Sequence, residues 1–541
     1  MQYLLPKRII SSKGVDNAES LLKEKTLQIG LNEPDLAVMG DDSYIILDYG
    51  KEISGGVRML TFFARQAKKI RLRFGESVAE TCAECDVEGF KRATNDHALR
   101  DFVVELQNYS DMTFGQTGFR FLRIDSLDKG GSLGIKSAVA AVDTDTRAQL
   151  GSFVCDDALV NEIFDTAAYT LRLCLQNGYI WDGIKRDRLV WIGDLYPEMR
   201  AAHCLFGDIP ETENCLQFSM EQTPFPNYMA NMPSYSLWWL IILADEYKIS
   251  GDKARFERFL PYAEQVALHF CGKIQPNGRV DYGNNFVDWP SCYVEGGEED
   301  KRLDSLSGMG YLTKLAMQKC VYLFLEYGRD GAAKTCDDAL RLLNTAERTV
   351  RRFKQCAGLG VWSGDVSQNN KEVLLRGGAK GLSTFMSYPI LTSVAAYGEY
   401  EAALSMMKEY YGGMLSVGAT SFWEDFELDW LENCGRIDEM PDENKVDIHG
   451  DKGAFCYQSF RHSLCHGWSA GVVPYLMETV AGIQFEGEGM RKVRIQPNLS
   501  GLKHVRVEYP TIYGVMTVEH TLQADGTLKT CVNAPKEIEV L

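Results

Sequence analysis

Fourteen residues hold the densest mixture of charge and aromatic surface in the chain: Trp181-Asp182-Gly183-Ile184-Lys185-Arg186-Asp187-Arg188-Leu189-Val190-Trp191-Ile192-Gly193-Asp194. Three carboxylates, three cations and two tryptophans fall in this stretch. A charge run alone reads as a solvated loop. Tryptophans beside carboxylates are not simply left in water, however, and Gly183 and Gly193 permit sharp turns that aim the carboxylates at one point. Three more segments set an acid or a histidine beside tryptophan. They are Gly418-Ala419-Thr420-Ser421-Phe422-Trp423-Glu424-Asp425-Phe426, His462-Ser463-Leu464-Cys465-His466-Gly467-Trp468-Ser469 and Asp288-Trp289-Pro290. Carboxyl groups facing each other across a glycosidic bond do a defined job. One protonates the leaving oxygen and, in the inverting mode, the other activates a water on the opposite face. Aromatic residues make up 11% of the chain, and their faces stack on the apolar faces of sugar rings.

Other chemistries find little support. There is no phosphate-binding G-x-x-x-x-G-K-[ST], no H-E-x-x-H and no G-x-S-x-G. Gly358-Leu359-Gly360-Val361-Trp362-Ser363-Gly364 has the wrong spacing for a dinucleotide loop and lies in a helical region. His462 and His466 are the closest histidine pair, with no acidic partner beside them, and Cys82-x-x-Cys85 lacks the second pair a zinc site needs. No cofactor and no metal are expected. The 57 basic and 75 acidic residues leave a net charge of −18 over 541 residues, which excludes an extended nucleic-acid or anionic-membrane partner. A small carbohydrate or glycoside is the expected partner, and a homo-oligomer is compatible with the composition. Fifteen scattered cysteines in mostly apolar surroundings, no visible secretory leader and no apolar run longer than Leu237 to Ala244 point to a cytoplasmic protein.

These residues must be positioned by the elements around them. Residues 40 to 145 alternate in short runs rich in Val, Ile, Phe and Tyr, including Ser43–Tyr49, Val57–Phe63, Asp101–Leu106 and Ile135–Val142. Gly, Asp and Ser punctuate these runs, the pattern of an antiparallel β-sandwich. From Asp156 the apolar spacing turns to three and four residues, and helices are expected to about Gly482, among them Pro389–Tyr411 and His466–Val480. About a dozen helices with long polar loops fit a toroid of paired helices better than a solenoid. Strands return at Lys492–Ile495, His504–Glu508 and Gly514–His520. The predicted fold is mainly α with β flanks: an N-terminal β-sandwich over 1–148, a helical toroid over 149–485 and a small C-terminal β domain, read as a sandwich, over 486–541.

The segment from Asp182 to Asp194 resembles the signature D-C-P-x-R-E-R-x-G-W-x-G-D of the α-L-rhamnosidase family of inverting glycoside hydrolases. Asp182, Arg186, Arg188, Trp191, Gly193 and Asp194 fall in register without a gap. Thr420-Ser421-Phe422-Trp423-Glu424 is similar to the family's T-T-x-W-E, and Ser463-Leu464-Cys465-His466 with Val480-Ala481-Gly482-Ile483 is similar to its S-x-N-H and V-A-G-I. The order of domains and a Y-G-x-x-x-V pattern at Tyr513 agree, so the likeness spans roughly 40 to 520. The resemblance implies an (α/α)6 barrel that removes a terminal α-L-rhamnosyl residue. Asp187 takes the general-acid position and Glu424 the general-base position. Asp182, Asp194 and His466 hold sugar hydroxyls, Trp191 and Trp289 line the pocket, and Arg186, Asp288 and Trp423 are further candidates for substrate binding. Three positions depart from the pattern. Asp187 stands where the family has Glu, shorter by about 1.5 Å; Gly183-Ile184 replaces Cys-Pro, and Cys465 replaces Asn. Lys185, Arg186 and Arg188 would hold the Asp187 proton loosely if they pointed inward, whereas Asp182, Asp194 and tryptophan walls would hold it tightly. An inverting exo-glycosidase acting on another sugar, and a catalytically impaired carbohydrate-binding relative, are the alternatives.

Overall fold

The computed structural model describes residues 2–65, 68–84, 99–289, 297–453 and 457–541. The Cys82-x-x-Cys85 pair extends outside the described residues. Seven N-terminal strands form one antiparallel sheet: β1 Gln2–Leu4, β2 Arg8–Asp16, β3 Ala37–Arg65, β4 Lys68–Gly75, β5 Asp101–Leu106, β6 Ser110–Ser126 and β7 Ser132–Val142. Their order is β1-β7-β3-β6-β4-β5, with β2 also on β3. The two runs read as separate strands before and after Lys51 are one 29-residue strand, β3. Its midpoint explains why. A Cβ on Gly55 would meet Ala141 O at 2.1 Å, and one on Gly56 would meet Gly115 O at 2.2 Å. Without side chains, β3 threads between β6 and β7 through register shifts instead of turning back. Alternate residues such as Ile45, Leu47, Val57, Leu72 and Leu122 bury one core. After β4 comes α1, Val78–Cys82, capped by Ser77 and bonded from Val78 N to Ile437 O at 2.8 Å.

Strand β8, Ser152–Cys155, pairs not with its own domain but with the C-terminal sheet. The helical region follows: α2 Ala158–Cys174, a hairpin of β9 Leu175–Gln176 and β10 Tyr179–Ile180, α3 Leu195–Phe206, α4 Pro210–Gln222, α5 Pro233–Ser250, α6 Lys253–Phe256, α7 Leu260–Lys273, α8 Glu298–Glu326, α9 Asp330–Leu343, α10 Lys354–Trp362, α11 Gln368–Leu375, α12 Ser387–Ala396 and α13 Tyr400–Ser416. Helix α5 is buried on all sides, which accounts for the apolar run at Leu237. Gly398, at φ 80°, splits the expected helix 389–411 into α12 and α13. Residues 466–480 are not one helix either. A 3-10 turn at Gly467–Gly471 leads through α14, Val472–Pro474, into a π-helix at Tyr475–Val480. Pro474 has no N–H to donate and so cannot sit inside a regular α-ladder. Gly358 and Gly360 lie inside α10, where a Cβ on Gly360 would meet Asn370 Nδ2 at 2.6 Å. They permit close packing and form no phosphate loop.

The C-terminal strands are β11 Ile483–Glu486, β12 Lys492–Ile495, β13 His504–Thr511, β14 Gly514–Leu522, β15 Leu528–Asn533 and β16 Glu539–Val540. They form a four-stranded sheet, β15-β14-β13-β8, and a three-stranded one, β11-β12-β16. The fold is thus helices with β-sheets at both ends, antiparallel except where β12 and β16 pair in parallel. Among the described residues no helix is long and apolar enough to cross a membrane.

Candidate functional site

Between β10 and α3 the loop carrying Asp182 to Asp194 folds back on itself. Asp182 N donates to Leu189 O at 3.1 Å, and Leu189 N donates to the Asp182 carboxylate at 2.8 Å. The glycines do not make its turn. Left-handed backbone falls instead on Asp187 (φ 50°) and Arg188 (φ 54°). Gly183 and Gly193 serve close approach: their Cβ atoms would come within 3.0 Å of Cys465 O and 2.3 Å of the Tyr235 ring. Gly183 bridges to His466, Gly467 N donates to Asp182 O at 2.7 Å, and Gly118 N on β6 donates to Ile184 O at 2.8 Å. The N-terminal sheet and the segment 463–467 therefore clamp the loop from two sides.

The loop opens onto a cavity of about 210 Å3. Arg186 is its organising cation. Nη1 lies 2.8 Å from Asp187, Nη2 makes a short ion pair with Glu424, and Nε donates to Arg461 O at 2.8 Å. A second cation, Arg461, approaches Asp187 to 3.6 Å. Glu424 is fixed at both backbone and side chain, since its N donates to Ser463 O at 2.9 Å and its carboxylate accepts from Ser463 N at 3.1 Å. Its carbonyl accepts from Trp468 Nε1 at 3.0 Å and from Thr384 Oγ1 at 2.6 Å. Asp194 accepts from Tyr235 OH at 3.0 Å. His466 Nε2 stands 3.5 Å from Glu424 and 3.8 Å from both Asp182 and Asp194, too far for good hydrogen bonds. A hydroxyl entering there would find acceptors converging from three sides. Aromatic rings close the wall: Trp191 on Tyr235, Trp289 on Tyr457 and Tyr457 on Trp468, with His466 4.2 Å from Trp468.

Burial governs the electrostatics. It pushes the Asp182 carboxyl well above the usual range, helped by Asp187 and Asp194. Asp194 rises for the same reason, against the Tyr235 hydrogen bond and with Glu424 adding to it. Glu424 is raised by burial while Arg186 pulls the other way. His466 is held well below its ordinary value by burial and by Arg186, so the ring is neutral. Burial also opposes the charge of Arg186, but Glu424, Asp187 and Asp182 outweigh it and the guanidinium stays charged.

Of the expected site residues, Asp182, Arg186, Asp187, Trp191, Asp194, Trp289, Glu424 and His466 line this cavity. Asp288 and Trp423 do not. Asp288 lies behind Trp289, accepting from Ser383 Oγ at 2.5 Å and Trp289 N at 2.7 Å. Trp423 is wholly buried, edge-on to Phe426 and His462, where its large apolar ring fills the core. Tyr235, Tyr457, Arg461 and Trp468 join the wall unforeseen as site residues, although Trp468 stood in the segment that sets His466 beside tryptophan.

Two of the three cations flanking Asp187 turn away. Arg188 lies over Trp181 at 4.7 Å. Lys185 is fully buried, with its ammonium 3.2 Å from both Glu76 and Glu80 and donating to His462 O at 2.8 Å. Glu76 in turn accepts from Leu464 N at 2.6 Å. Glu76, Glu80 and His449 lie close enough together to ligate a metal, but the Lys185 ammonium already supplies the cation there.

The helices gather paired carboxylates under an aromatic wall, with β-sheets before and after them in the chain. Residues 148–317 match the family model of the bacterial alpha-L-rhamnosidase 6 hairpin glycosidase domain, and 482–540 match that of the bacterial alpha-L-rhamnosidase C-terminal domain. The chain thus resembles the α-L-rhamnosidases. In fold it is similar to the GH78 family rhamnosidase of Bacillus sp. GL1 (TM-score 0.73, 20% identity, 96% of this chain and 55% of that one). It is also similar to the Klebsiella oxytoca rhamnosidase with rhamnose bound (0.67, 16%, 88% and 95%) and to the Streptomyces avermitilis alpha-L-rhamnosidase complexed with L-rhamnose (0.63, 15%, 92% and 48%). The chain spans about half the length of the Bacillus and Streptomyces proteins. No curated protein matches it in sequence.

Proposed function

We propose that the protein is an inverting exo-glycosidase that releases a terminal α-L-rhamnosyl residue, its helices closing as an (α/α)6 toroid around the cavity. The observation that carries this reading is Arg186, whose one guanidinium holds Asp187 and Glu424 on the wall of a single cavity lined with aromatic rings. Asp187 protonates the leaving glycosidic oxygen; Asp182 and Asp194, close by, disfavour a further negative charge and oppose the pull of Arg186 on its proton. Glu424, tied down through Ser463, takes a proton from water attacking the opposite face of C1, and the product leaves with inverted configuration. Asp182, Asp194 and His466 bind ring hydroxyls, and the charge of Arg186 keeps Glu424 available as a base. Trp191 and Trp289 cover the apolar face and methyl group of a 6-deoxy sugar. Buried, unpaired thiols such as Cys174 and Cys465 suit a reducing, cytoplasmic setting.

Separate Asp187→Asn and Glu424→Gln variants test the assignment on an aryl α-L-rhamnoside, with the product anomer followed by proton NMR. Each variant loses at least about a hundredfold in kcat, and the wild-type product appears first as the β-anomer. Wild-type turnover in either variant removes that residue from its role. A faster aryl glycoside of another sugar would change the substrate and keep the mechanism. Rhamnose binding without any hydrolysis would instead mark a binding protein.

A further inference from the structure

A second cavity in the helical domain is the larger one, about 420 Å3 against about 210 Å3 at the carboxylate site. It lies toward the other ends of the same helices. On α5, Tyr235 faces the first cavity and Lys248 the second, thirteen residues or about 20 Å further along. Arg200 of α3, Lys319 of α8, Trp362 of α10 and Tyr388 of α12 complete much of the wall, and the C-terminal β domain covers part of it with Tyr509.

Two carboxylates in this wall are already satisfied. Glu478 accepts from Arg200 at 2.6 Å, Tyr388 OH at 2.6 Å and Tyr509 OH at 3.3 Å. Asp245 accepts from Lys319 at 2.5 Å and Tyr196 OH at 3.1 Å. The acids are withdrawn, with Asp245 and Glu478 side chains 8% and 11% exposed, while Arg200 and Lys319 keep 20% and 29%. Lys248 adds a third cation with no ion-pair partner among the described residues. Three cations against two saturated carboxylates leave an excess positive charge and a surplus of donors. Glu478 reaches this position from the π-helix at Tyr475–Val480, a rare conformation that recurs at functional sites.

We propose that this cavity is a second binding site, for a monosaccharide-sized ligand carrying one acidic group: a sugar acid or a sugar phosphate. Its volume lies within the usual range for small-molecule pockets. Half-buried Trp362 and Phe485 supply apolar surface for a ring, and Lys248, Lys319 and Arg200 supply donors for the anion. The proposal is independent of the reaction assigned to the first cavity.

Isothermal titration of the full chain with D-glucuronate, D-glucose 6-phosphate and D-glucose at low ionic strength tests it. At least one acidic sugar binds about tenfold or more tightly than glucose, the worth of one charge-assisted hydrogen bond. Binding by glucuronate alone marks a carboxylate site, and binding by the phosphate alone marks a phosphate site. Lys248→Met, in the half-buried last turn of α5, weakens the tight ligand about tenfold, whereas Glu424→Gln leaves it unchanged. Failure of both acids to bind overturns the proposal, as does equal binding of glucose. Loss of binding in Glu424→Gln with none in Lys248→Met also overturns it, because the ligand then occupies the first cavity.

Discussion

Replacing Lys185 with Met tests whether the N-terminal sheet region holds the segments of the cavity in place. The ammonium of Lys185 is fully buried, 3.2 Å from Glu76 and Glu80, and it ties His462 O, the carbonyl next to the Arg461 O that accepts from Arg186. Methionine matches the stem and removes the charge. Glu80 keeps Arg100 at 3.1 Å and is the lesser concern: burial works against its charge, but Arg100 and Lys185 hold its carboxyl at about 2. Glu76 suffers more, because burial already pushes its carboxyl up and Lys185 is the main force opposing that. Removing one partner of a buried pair costs roughly 3–5 kcal/mol. Glu76 can escape part of that by taking up a proton, so the expected loss is about 3 kcal/mol near neutral pH. The sign of its pH dependence follows. A carboxyl whose folded pKa is raised costs stability as pH rises above its unfolded value near 4.3, so the defect grows from acid toward neutral pH. Glu76 also accepts from Leu464 N and Ser463 Oγ, and Ser463 N donates to Glu424, so the defect passes to the proposed base. A shift of about 1 Å there costs on the order of a hundredfold in kcat. Urea unfolding at several pH values and steady-state kinetics on an aryl rhamnoside measure both effects. Adding Glu76→Gln to the variant restores at least about 1 kcal/mol, since no unpaired charge is left behind. A Lys185→Met protein within about 1 kcal/mol of wild type and with unchanged kcat would refute this role.

Three further outcomes are expected. Arg186 lowers the Glu424 carboxyl against the rise that burial causes, so Arg186→Gln lets it climb, and the acidic limb of the kcat/KM profile moves up by about one pH unit or more; an unmoved limb would contradict Glu424 as the base. Asp288 is raised to about 7 by burial, against Ser383 and Trp289, so its stability cost is absent below about pH 4 and grows to about 4 kcal/mol above pH 7. Asp288→Asn therefore flattens the stability profile between pH 4 and 7 and unfolds at higher denaturant near pH 8, and an unchanged slope counts against it. A Cβ on Gly118 would sit 3.0 Å from the Ile184–Lys185 backbone, so Gly118→Ala pushes the sheet off the loop, costing about 1–3 kcal/mol and lowering kcat; full activity would mean that the clamp is dispensable.

Local chemistry was legible in the chain, and long-range geometry was not. Strands such as Asp101–Leu106 and Lys492–Ile495 stand where alternation and turn residues put them, because those signals are local. The breaks at Gly398 and Pro474 were passed over because apolar spacing runs on across them. Acid beside tryptophan marked the segments of the cavity, and those segments do meet. The same proximity rule overreached at Trp423, where the ring is wanted by the core, and at Asp288, one layer behind the wall. Arg461, Tyr235 and Tyr457 carry no local pattern, since only the folded loops bring them together. Lys185 is the sharpest case. Its charge reads as a threat to the Asp187 proton, yet carboxylates more than a hundred residues earlier in the chain draw it away.

Asp187 is where the chain departs most plainly from the signature it resembles, and its backbone supplies a reason. At φ 50° the residue is left-handed, a conformation that Asp tolerates better than longer side chains, and Arg188 follows at φ 54°. The double turn is tight enough for Arg188 N to donate to Arg186 O at 2.6 Å. The Asp187 carboxylate then meets Nη1 of Arg186 at 2.8 Å, while Arg461 stands 3.6 Å away. A glutamate on this backbone would carry its carboxyl about 1.5 Å further, past the Arg186 contact and toward Arg461. It would also lose the local ease that Asp finds in a left-handed turn, about 1 kcal/mol. Asp187→Glu is therefore expected to lower stability by about that much and to reduce kcat by about tenfold or more, although it restores the family's residue. If the turn merely tolerates a short acid that reaches too little, the same variant gains activity instead. A rise in kcat for Asp187→Glu would show that the left-handed turn does not compensate for the missing methylene.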